Sequence, residues 1–526
     1  MLRTPVKARR GAQTASTVSV SAPVGGLNAI DPIANMKPTD ALRLTNWWCT
    51  PYDVQVRQGF KQYTTGLSGQ VETLAPYNKT DGTGKIFAAA GTSIYDVTSG
   101  GAVGAAVQTG LSNARWQYVN MVTPGGQYLY LFNGVDKPRL YDGTSWVAVD
   151  GASTPAITGV TTTTLIGGCV HKNRLWLIEK DKLKAWYLPT QSIGGAATAF
   201  DISSFASRGG YLMAIIDLTM DAGIGIDDHL CFITSKGEVL IYKGTDPASS
   251  STWTIVGAWK IGEPLGRRCV LPFAGDVVYI SKDGIAGLTN SLQSTQVNRT
   301  AQLTNRIQHW VSEDTSTWQS QYGWQALAVP NYNMLIVNVP ESTTKSHQWA
   351  MNTISNAWTR FEDVNATCWC LYNDEPYFGG TNTVYKFWTG YSDNQNTSGL
   401  SGSNINYSAL QAFSYFGNRS HLKHFRLVRP TLQATGQPSL YMAVNTDYDT
   451  SLPTTTPSYG SSGSGDVWGT PLWGAFKWSG GGYLLAEWQH ASGVGYSAAL
   501  ALRGASMDID VHWTSCDYVY EQGGIV

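Results

Sequence analysis

The chain has 526 residues, which is too long for one ordinary domain and predicts two or three. Charged residues make up 14% of it, against roughly 25% in average soluble domains, whereas 20 Trp, 27 Tyr and 56 Gly are high counts. A net charge of −1 excludes a global electrostatic attraction to nucleic acid or to an anionic membrane. Long helix-forming runs are nearly absent and Thr, Val, Tyr and Trp dominate, so the composition predicts a mainly β fold.

The first residues carry several basic side chains but no apolar run. Arg3, Lys7, Arg9 and Arg10 precede a polar stretch, so the sequence predicts neither a signal peptide nor a membrane-spanning segment. We expect residues 1–20 to form a flexible basic arm that becomes ordered on assembly.

A short helix is expected after Pro38, because Asp40 can cap the segment ALRLTNWW. A second, amphipathic helix is predicted in LTNRIQHWVSED, with Thr300 as its cap. Its apolar face consists of Leu303, Ile307, Trp310 and Val311.

An internal repeat occupies the middle of the chain. Each copy has a hydrophobic strand, a turn and a second strand that bears aromatic residues. The copies are KIFAAAGTSIYDV from Lys85, YLYLFNGVDKPRLYDGTSW from Tyr128, RLWLIEKDKLKAWYL from Arg174, LCFITSKGEVLIYKG from Leu230, VVYISKDGIAGL from Val277, MLIVNVPES from Met334 and PYFGGTNTVYKFW from Pro376. Their mean spacing of about 48 residues is typical of propeller blades.

Turn chemistry supports the repeat. Asn133-Gly134, Lys236-Gly237 and Asp283-Gly284 stand where a hairpin needs a positive φ. One such sheet cannot bury both of its faces, but several stacked radially share a core and protect their edges. The sequence therefore predicts a β-propeller of six or seven irregular blades over residues 60–400.

A Gly/Ser/Asn-rich stretch, YSDNQNTSGLSGSNINYS, predicts a domain boundary near residue 400. Strand patterns resume after it, so residues 401–526 are expected to form a C-terminal β-sandwich-like platform domain that flanks the propeller. Residues 21–59 are expected to pack with that platform. Within the platform, TSLPTTTPSYGSSGSGD is predicted to be an exposed loop.

Enzyme and metal signatures are weak throughout the chain. The fragment DGTGKIF lacks the first Gly and the Ser/Thr of a phosphate loop, and no GxSxG elbow is present. His421 and His424 form a close pair without nearby Cys, for which metal binding and a packed or solvated pair remain the alternatives. Paired carboxylates such as Asp227-Asp228 fit solvated turns. We expect no enzyme activity, no cofactor and no metal.

Seven cysteines are scattered singly without CxxC pairs, which predicts reduced core residues. They are Cys49, Cys169, Cys231, Cys269, Cys368, Cys370 and Cys516.

A carbohydrate-binding or carbohydrate-cleaving propeller is the alternative class. Sialidase-like propellers carry repeated S-x-D-x-G-x-x-W turns, which parts of this chain resemble. In Ser281–Gly284 the Gly comes one position early and no Trp follows, whereas in Asp142–Trp146 the Trp is too near the Asp. The spacing therefore does not select this class.

Two flanking stretches resemble podovirus tail nozzle proteins, the tail tubular protein B-like family. They are APVGGLNAIDPIANMKPTDALRLTNWWCTPYDVQVRQGF, from Ala22 to Phe60, and FSYFGNRSHLKHFRLVRPTLQATGQPSLYMAVNTDY, from Phe413 to Tyr448. The resemblance implies a structural virion protein that forms a homohexameric ring below the portal and its adaptor. It further implies contacts with tail fibre or tail tip proteins, transient passage of double-stranded DNA, and synthesis in the host cytoplasm.

The same stretches contain the candidate contact residues for a neighbouring subunit or the adaptor. Trp and Arg are enriched at protein interfaces, although ordinary core positions are the alternative for the two Trp, and a solvated strand face is the alternative for the basic cluster. The candidates are Arg43, Trp47, Trp48, Arg57, Arg419, Lys423, Arg426 and Arg429.

Overall fold

The computed structural model describes residues 15–221, 226–289, 302–398, 402–454 and 483–523. The chain divides into two compact units. One, here the sandwich unit, contains Met1–Arg57, Ser355–Thr359 and Asn404–Val526, and the other, the propeller unit, contains Gln58–Ile354 and Arg360–Ser403. Among the described residues, no helix is long and apolar enough to cross a membrane.

Strands dominate both units, as the composition predicts. In chain order they are β1 (Ala15–Ser21), β2 (Gly26–Leu27), β3 (Asp40–Thr45), β4 (Trp47–Cys49), β5 (Val54–Val56), β6 (Phe60–Tyr77), β7 (Lys85–Ala90), β8 (Ser93–Asp96), β9 (Gly101–Ala102), β10 (Gln117–Thr123), β11 (Gly126–Phe132), β12 (Arg139–Tyr141), β13 (Trp146–Ala148), β14 (Ile157–Thr158), β15 (Leu165–His171), β16 (Arg174–Glu179), β17 (Lys184–Tyr187), β18 (Gly195–Ala196), β19 (Thr198–Asp201), β20 (Leu212–Asp221), β21 (Ile226–Thr234), β22 (Glu238–Gly244), β23 (Trp253–Lys260), β24 (Val270–Phe273), β25 (Asp276–Ser281), β26 (Gly284–Gly287), β27 (Gln325–Val329), β28 (Met334–Pro340), β29 (Ser346–Asn352), β30 (Trp358–Phe361), β31 (Cys368–Tyr372), β32 (Glu375–Gly379), β33 (Thr381–Phe387), β34 (Ile405–Gln411), β35 (Lys423–Ala434), β36 (Ser439–Thr446), β37 (Tyr483–Leu485), β38 (Gln489–Gly495), β39 (Ala498–Ser506) and β40 (Val511–Gln522).

The propeller unit contains seven small antiparallel sheets and one short parallel pair, β14 with β18. In chain order the seven sheets are the second half of β6 with β7 and β8; β10 to β13; β15, β16, β17 and β19; β20 to β23; β24 to β26; β27 to β29; and β31 to β33 with the first half of β6. The seven repeat segments found in the sequence fall in seven different sheets. Each repeat is therefore one blade.

Contacts between innermost strands close the blades into a ring. β10 contacts β15, β15 contacts β20, β20 contacts β24, β24 contacts β27 and β27 contacts β31, after which β31 contacts β6 and β6 contacts β10. The 18-residue β6 fastens the ring, because its first half is the outer strand of the last blade and its second half is the inner strand of the first. Such closure protects the sheet edges and confirms the predicted propeller.

The core of the propeller lies between successive blades. Trp176 of the third blade packs on Phe232 of the fourth, with ring centroids 5.6 Å apart, within one cluster of buried apolar side chains. A tight turn at Gly237 has φ +71°, and a Cβ there would lie 2.3 Å from the carbonyl oxygen of Ile261. Only glycine fits this hairpin, as the sequence indicates.

The sandwich unit has two facing sheets. One runs β37, β35, β40, β5, β4, with β1 beside β40 and β38 beside β35, and the other contains β2, β3, β34, β39 and β36. The aromatic ring of Trp47 lies 5.1 Å from that of Tyr407 in the second sheet and 6.1 Å from that of Trp513 in the first. Described residues from both ends of the chain therefore share one core.

Two local predictions for this unit are wrong. Residues 15–20, expected in the flexible arm, belong to β1, which pairs with β40 from Ala15 to Ser21. The segment after Pro38, expected to be a helix, is strand β3, because its backbone hydrogen-bonding groups pair with β34. The buried Asp40 does not cap a helix; it accepts a 2.8 Å hydrogen bond from the Asn28 side-chain amide. The basic residues of the arm lie outside the described residues, as does most of the predicted TSLPTTTPSYGSSGSGD loop.

The second predicted helix is present, but it begins later in the sequence than expected. An α-helix, α1, spans Gln308–Trp318 and follows a single turn of 3-10 helix at Asn305–Ile307. Val311 and Ile307 are buried as expected, whereas the proposed cap, Thr300, lies outside the described residues.

Candidate assembly surface

Half of the predicted contact residues lie in the core of the sandwich unit. Trp47, Trp48 and Arg57 are buried, and the Arg57 guanidinium donates from Nε to Oδ1 of Asn46 at 2.9 Å. A partner cannot touch these side chains, so their assignment to an interface is wrong. Of these side chains, Trp47 contacts the second sheet through Tyr407.

Lys423 is also buried, at the start of β35. Its ammonium donates to three backbone carbonyl oxygens, those of Asn418 at 2.5 Å, Tyr496 at 2.8 Å and His421 at 3.1 Å. Burial lowers the pKa of this lysine. Lys423 therefore holds a loop in place and is not a docking residue.

The remaining basic residues of β35 face outward because of a β-bulge. The pairing with β40 shifts between Phe425 and Leu427, so that Arg426 and Leu427 are both exposed while Phe425 and Val428 stay buried. Without the bulge, alternation would bury one of the two exposed side chains.

Strand register then fixes an exposed array, here called the outer face. It crosses four strands, β38, β35, β40 and β1, whose residues pair side by side in rows. The outer face consists of His490 and Val494; His424, Leu427 and Arg429; Val519 and Glu521; and Ala15, Thr17 and Ser19, with the buried Asp517 between Arg429 and Ser19.

Two ion pairs lie on this sheet, one on either side of its apolar middle. Nη2 of Arg426 is 3.1 Å from Oε2 of Glu521. Arg429 donates from Nε and Nη2 to Oδ2 of Asp517, at 2.9 and 2.7 Å, and Ser19 donates its hydroxyl to the same carboxylate. The Arg429 guanidinium also lies 4.6 Å from the centre of the Trp488 ring. The charged groups are thus held in fixed positions.

Apolar side chains between and beside these pairs remain open to solvent. Leu427 is 37% exposed, Val494 53% and Trp488 39%. Apolar and Trp side chains flanked by ordered Arg are typical of protein interfaces. The outer face is therefore the surface of this unit best suited to a protein partner.

Two further predicted contact residues, Arg419 and Arg43, hold loops in place through hydrogen bonds. Arg419 donates to the carbonyl oxygen of Ala34 and to Oδ1 of Asn35, both at 3.0 Å, and lies over the Tyr415 ring at 4.6 Å. Arg43 donates to the carbonyl of Thr450 at 3.4 Å. The Arg419 contacts join the second flanking stretch to the first, whereas Arg43 of the first stretch contacts Thr450, just beyond the end of the second.

The turn between β4 and β5 presents an aromatic side chain that sequence analysis missed. Tyr52 is 89% exposed at the tip, and the neighbouring Asp53 accepts bonds from Thr50 and from Nδ1 of His512, the latter at 2.7 Å. Bonds to Asp510 and then to Asp53 raise the pKa of His512 to about 10. Asp53 and His512 are too distant in sequence for any motif to indicate their contact.

The axis of the propeller is closed by a side chain. Arg268, which precedes β24, reaches the blades opposite and donates from Nη2 to the carbonyls of Glu72 and Trp116, at 3.1 and 2.9 Å, and to Oγ1 of Thr73, at 2.8 Å. The Tyr322 ring lies 5.5 Å from this guanidinium, and its hydroxyl donates to Glu72 O. The centre of the ring is thus a packed structure.

The turn at Asp142, which resembles an Asp box, is stabilised by hydrogen bonds from Thr144 and Ser145 to the Asp142 carboxylate. Burial raises the pKa of Asp142, but hydrogen bonds from Ser145 and Thr144 outweigh burial and lower this pKa to about 2. An acid that stays ionised to such low pH is a poor proton donor for glycoside cleavage. A cavity of about 420 Å³ next to Asp142 has Tyr77, Lys79 and Gln127 in its walls.

The histidine pair in the sandwich unit has ordinary partners. His421 contacts the carbonyl of Gly523 through Nδ1, at 3.0 Å. Within the ranges that the structure describes, no three His, Cys, Asp or Glu residues are placed to hold one metal ion.

No family model and no curated protein matches the chain. Several solved structures do. The β-propeller domain of Myceliophteria thermophila Cps50 (Swd1) is 11% identical, with 63% of this chain and 99% of that chain covered and a TM-score of 0.38. Chaetomium thermophilum Raptor is 11% identical over 63% and 29%, with a TM-score of 0.37, and YCF48 bound to D1 peptide is 10% identical over 66% and 97%, with a TM-score of 0.35. The propeller assignment rests on the strand pairing described above, and none of these structures supplies a function for this chain.

Proposed function

We propose that the chain is a structural subunit of a short phage tail, six copies of which form the nozzle that conducts DNA during ejection. The observation that carries the proposal is the placement of the two stretches that resemble nozzle proteins. Ala22–Phe60 and Phe413–Tyr448 are far apart in sequence, yet strands from both lie in the same two sheets of the sandwich unit. In the first sheet β5 and β35 both pair with β40, the second sheet contains both β3 and β36, and Arg419 donates to the carbonyl of Ala34. A shared core for both stretches is what a common platform requires.

The outer face supplies the contact surface in this proposal. A ring needs a surface that repeats in each copy and that remains exposed in the single chain. Leu427 and Val494 provide apolar area, and Arg429 is already aligned by Asp517 and Trp488, so little ordering is needed on contact. We assign this face to contacts with a neighbouring copy or with the portal adaptor.

The closed propeller axis supports a conduit between copies. Arg268 and Tyr322 fill the centre of each propeller, so DNA would pass along the axis of the ring and not through a blade ring. Passage requires weak contacts, because many phosphate contacts would bind DNA tightly and with a steep salt dependence. The net charge of −1 is compatible with a low-friction channel.

Other partners follow from the same proposal. The protein is made in the host cytoplasm, is incorporated into the virion tail, and contacts portal adaptor proteins above and tail fibre or tail tip proteins around it. It needs no cofactor and has no enzyme activity in this role.

The proposal is tested by native mass spectrometry of the purified chain and of assembled tails. We expect a hexamer, and we expect Leu427→Asp to reduce its amount because a charge would enter the apolar part of the contact. Val122→Asp is the matched control, since Val122 is 61% exposed in the propeller unit. A monomer in both preparations would contradict the proposal.

A carbohydrate-binding propeller is the second candidate, favoured by the cavity beside Asp142 and Tyr77. It predicts saturable binding of host polysaccharide that Tyr77→Ala abolishes. The nozzle proposal predicts no such binding and no change in polysaccharide chain length.

A further inference from the structure

The sheet that carries the outer face has two edges at which no further strand pairs within the part of the chain that the structure describes. Among the described residues, β1 pairs with β40 alone and β38 with β35 alone. β1 and β38 lie at the two ends of the same rows, and each strand has seven residues.

The hydrogen bonding of β1 shows which of its groups face outward. The amide of Ala22 donates to the carbonyl of Thr514 at 2.9 Å, and this bond sets the alternation along β1. In an antiparallel pair, every second residue bonds the partner strand, so the main-chain groups of Thr17 and Ser19 point away from β40. These outward groups can accept another strand.

Neither edge carries charged or proline residues that would oppose strand pairing, although a β-bulge interrupts the pairing of β38 with β35 at Phe425–Leu427. Proteins protect exposed edges with Lys, Pro or other charges. The sequence of β1 is ASTVSVS and that of β38 is QHASGVG, and neither contains Lys, Arg, Asp, Glu or Pro. Ala15, Thr17 and Ser19 are exposed on β1, as are His490 and Val494 on β38. Two such edges on one stable sheet indicate that assembly covers them.

We propose that β1 of one copy pairs with β38 of the next, so that the sheet continues from subunit to subunit. The occupant is a second copy of this chain, because the two edges are equal in length, lie in the same rows and are equally free of charge. Pairing between two different edges is a head-to-tail contact, which closes into a ring when the rotation permits. This inference rests on the proposed function and specifies how its ring is joined.

Two sets of variants test the pairing. Thr17→Pro removes an outward amide and leaves the ladder to β40 intact, since proline is tolerated at such edge positions. We expect at least a tenfold loss of hexamer at fixed protein concentration in native mass spectrometry. Thr17→Val is the matched control, because it keeps the amide and the strand propensity, and it should assemble normally.

The second set uses disulfide trapping in the otherwise unchanged chain. Thr17→Cys is combined in turn with His490→Cys, Ser492→Cys and Val494→Cys, which samples the registers. At least one pair should give covalent dimers and higher species on non-reducing gels, whereas Thr17→Cys alone should not. Six of the seven native cysteines are buried and Cys169 is half-buried, so their background is low.

The outcomes separate this inference from the proposed function. A hexamer that persists in Thr17→Pro, together with no cross-link in any register, overturns the strand pairing and leaves the nozzle proposal standing. A wild-type chain that never forms a ring overturns both. If Thr17→Pro does not fold, the cysteine pairs alone decide between support and refutation.

Discussion

Replacing Arg268 by Met should destabilise the propeller without changing its surface chemistry. Nη2 of Arg268 donates to three oxygens that belong to blades on the far side of the ring. Hydrogen bonds from charged donors contribute about 1.5–3 kcal/mol each, but bonds from one nitrogen are not additive and water can reach this half-buried site. We therefore expect a loss of about 2–4 kcal/mol in the free energy of unfolding.

Chemical denaturation of wild type and variant, followed by tryptophan fluorescence, measures this loss. Arg174→Met is the matched control: Arg174 also lies over a tyrosine ring, at 5.0 Å, but its ion pair with Asp246 is long, at 3.8 Å. We expect the control to cost under about 1 kcal/mol. Equal midpoints for the Arg268 variant and wild type would show that the axial contacts do not hold the ring together.

Three further outcomes are expected. His347→Leu should cost about 3 kcal/mol in the same denaturation assay, because its two ring nitrogens lie 2.9 and 3.0 Å from the carboxylates of Glu341 and Asp314, and each carboxylate would lose one of its hydrogen-bond partners; an unchanged midpoint would contradict this. The pKa of His512 is raised to about 10 in the folded protein, above an unfolded value of about 6.5. The stabilisation of the fold by His512 is therefore complete below about pH 6.5 and declines as the pH rises toward 10. His512→Gln should remove that decline, and identical pH profiles of stability for variant and wild type would refute this prediction. Duplex DNA titrated against the assembled ring should bind weakly at physiological salt, and tight binding with a steep salt slope would indicate a clamp instead of a conduit.

The propeller could be predicted because the sequence features that form each blade are local and recur from blade to blade. Each blade is a hairpin whose apolar strands and turn glycine are adjacent in sequence, as at Lys236-Gly237, so the same pattern recurs once per sheet. The closure of the ring by β6 was not predicted, because the last blade takes its outer strand from the beginning of the propeller. Val384 of β33 and its partner Thr64 of β6 are more than 300 positions apart in sequence.

Burial of single side chains could not be predicted in the same way. Trp47, Arg57 and Lys423 have residue types that suit an interface, but their positions depend on strands far away in sequence. Asp40 shows the same limit, because its capping tendency is local whereas β34, which turns that segment into a strand, lies about 370 positions later. The outer face could be seen only once the bulge at Arg426 and the pairing with β40 were known.

The central claim is tested most directly by electron microscopy of the particles that contain this protein, with a label fused to the C-terminus. The account predicts a sixfold ring at the distal end of a short tail, with one label on each of six subunits. Particles that lack the label at the tail, or a protein recovered only as free monomers, would contradict it.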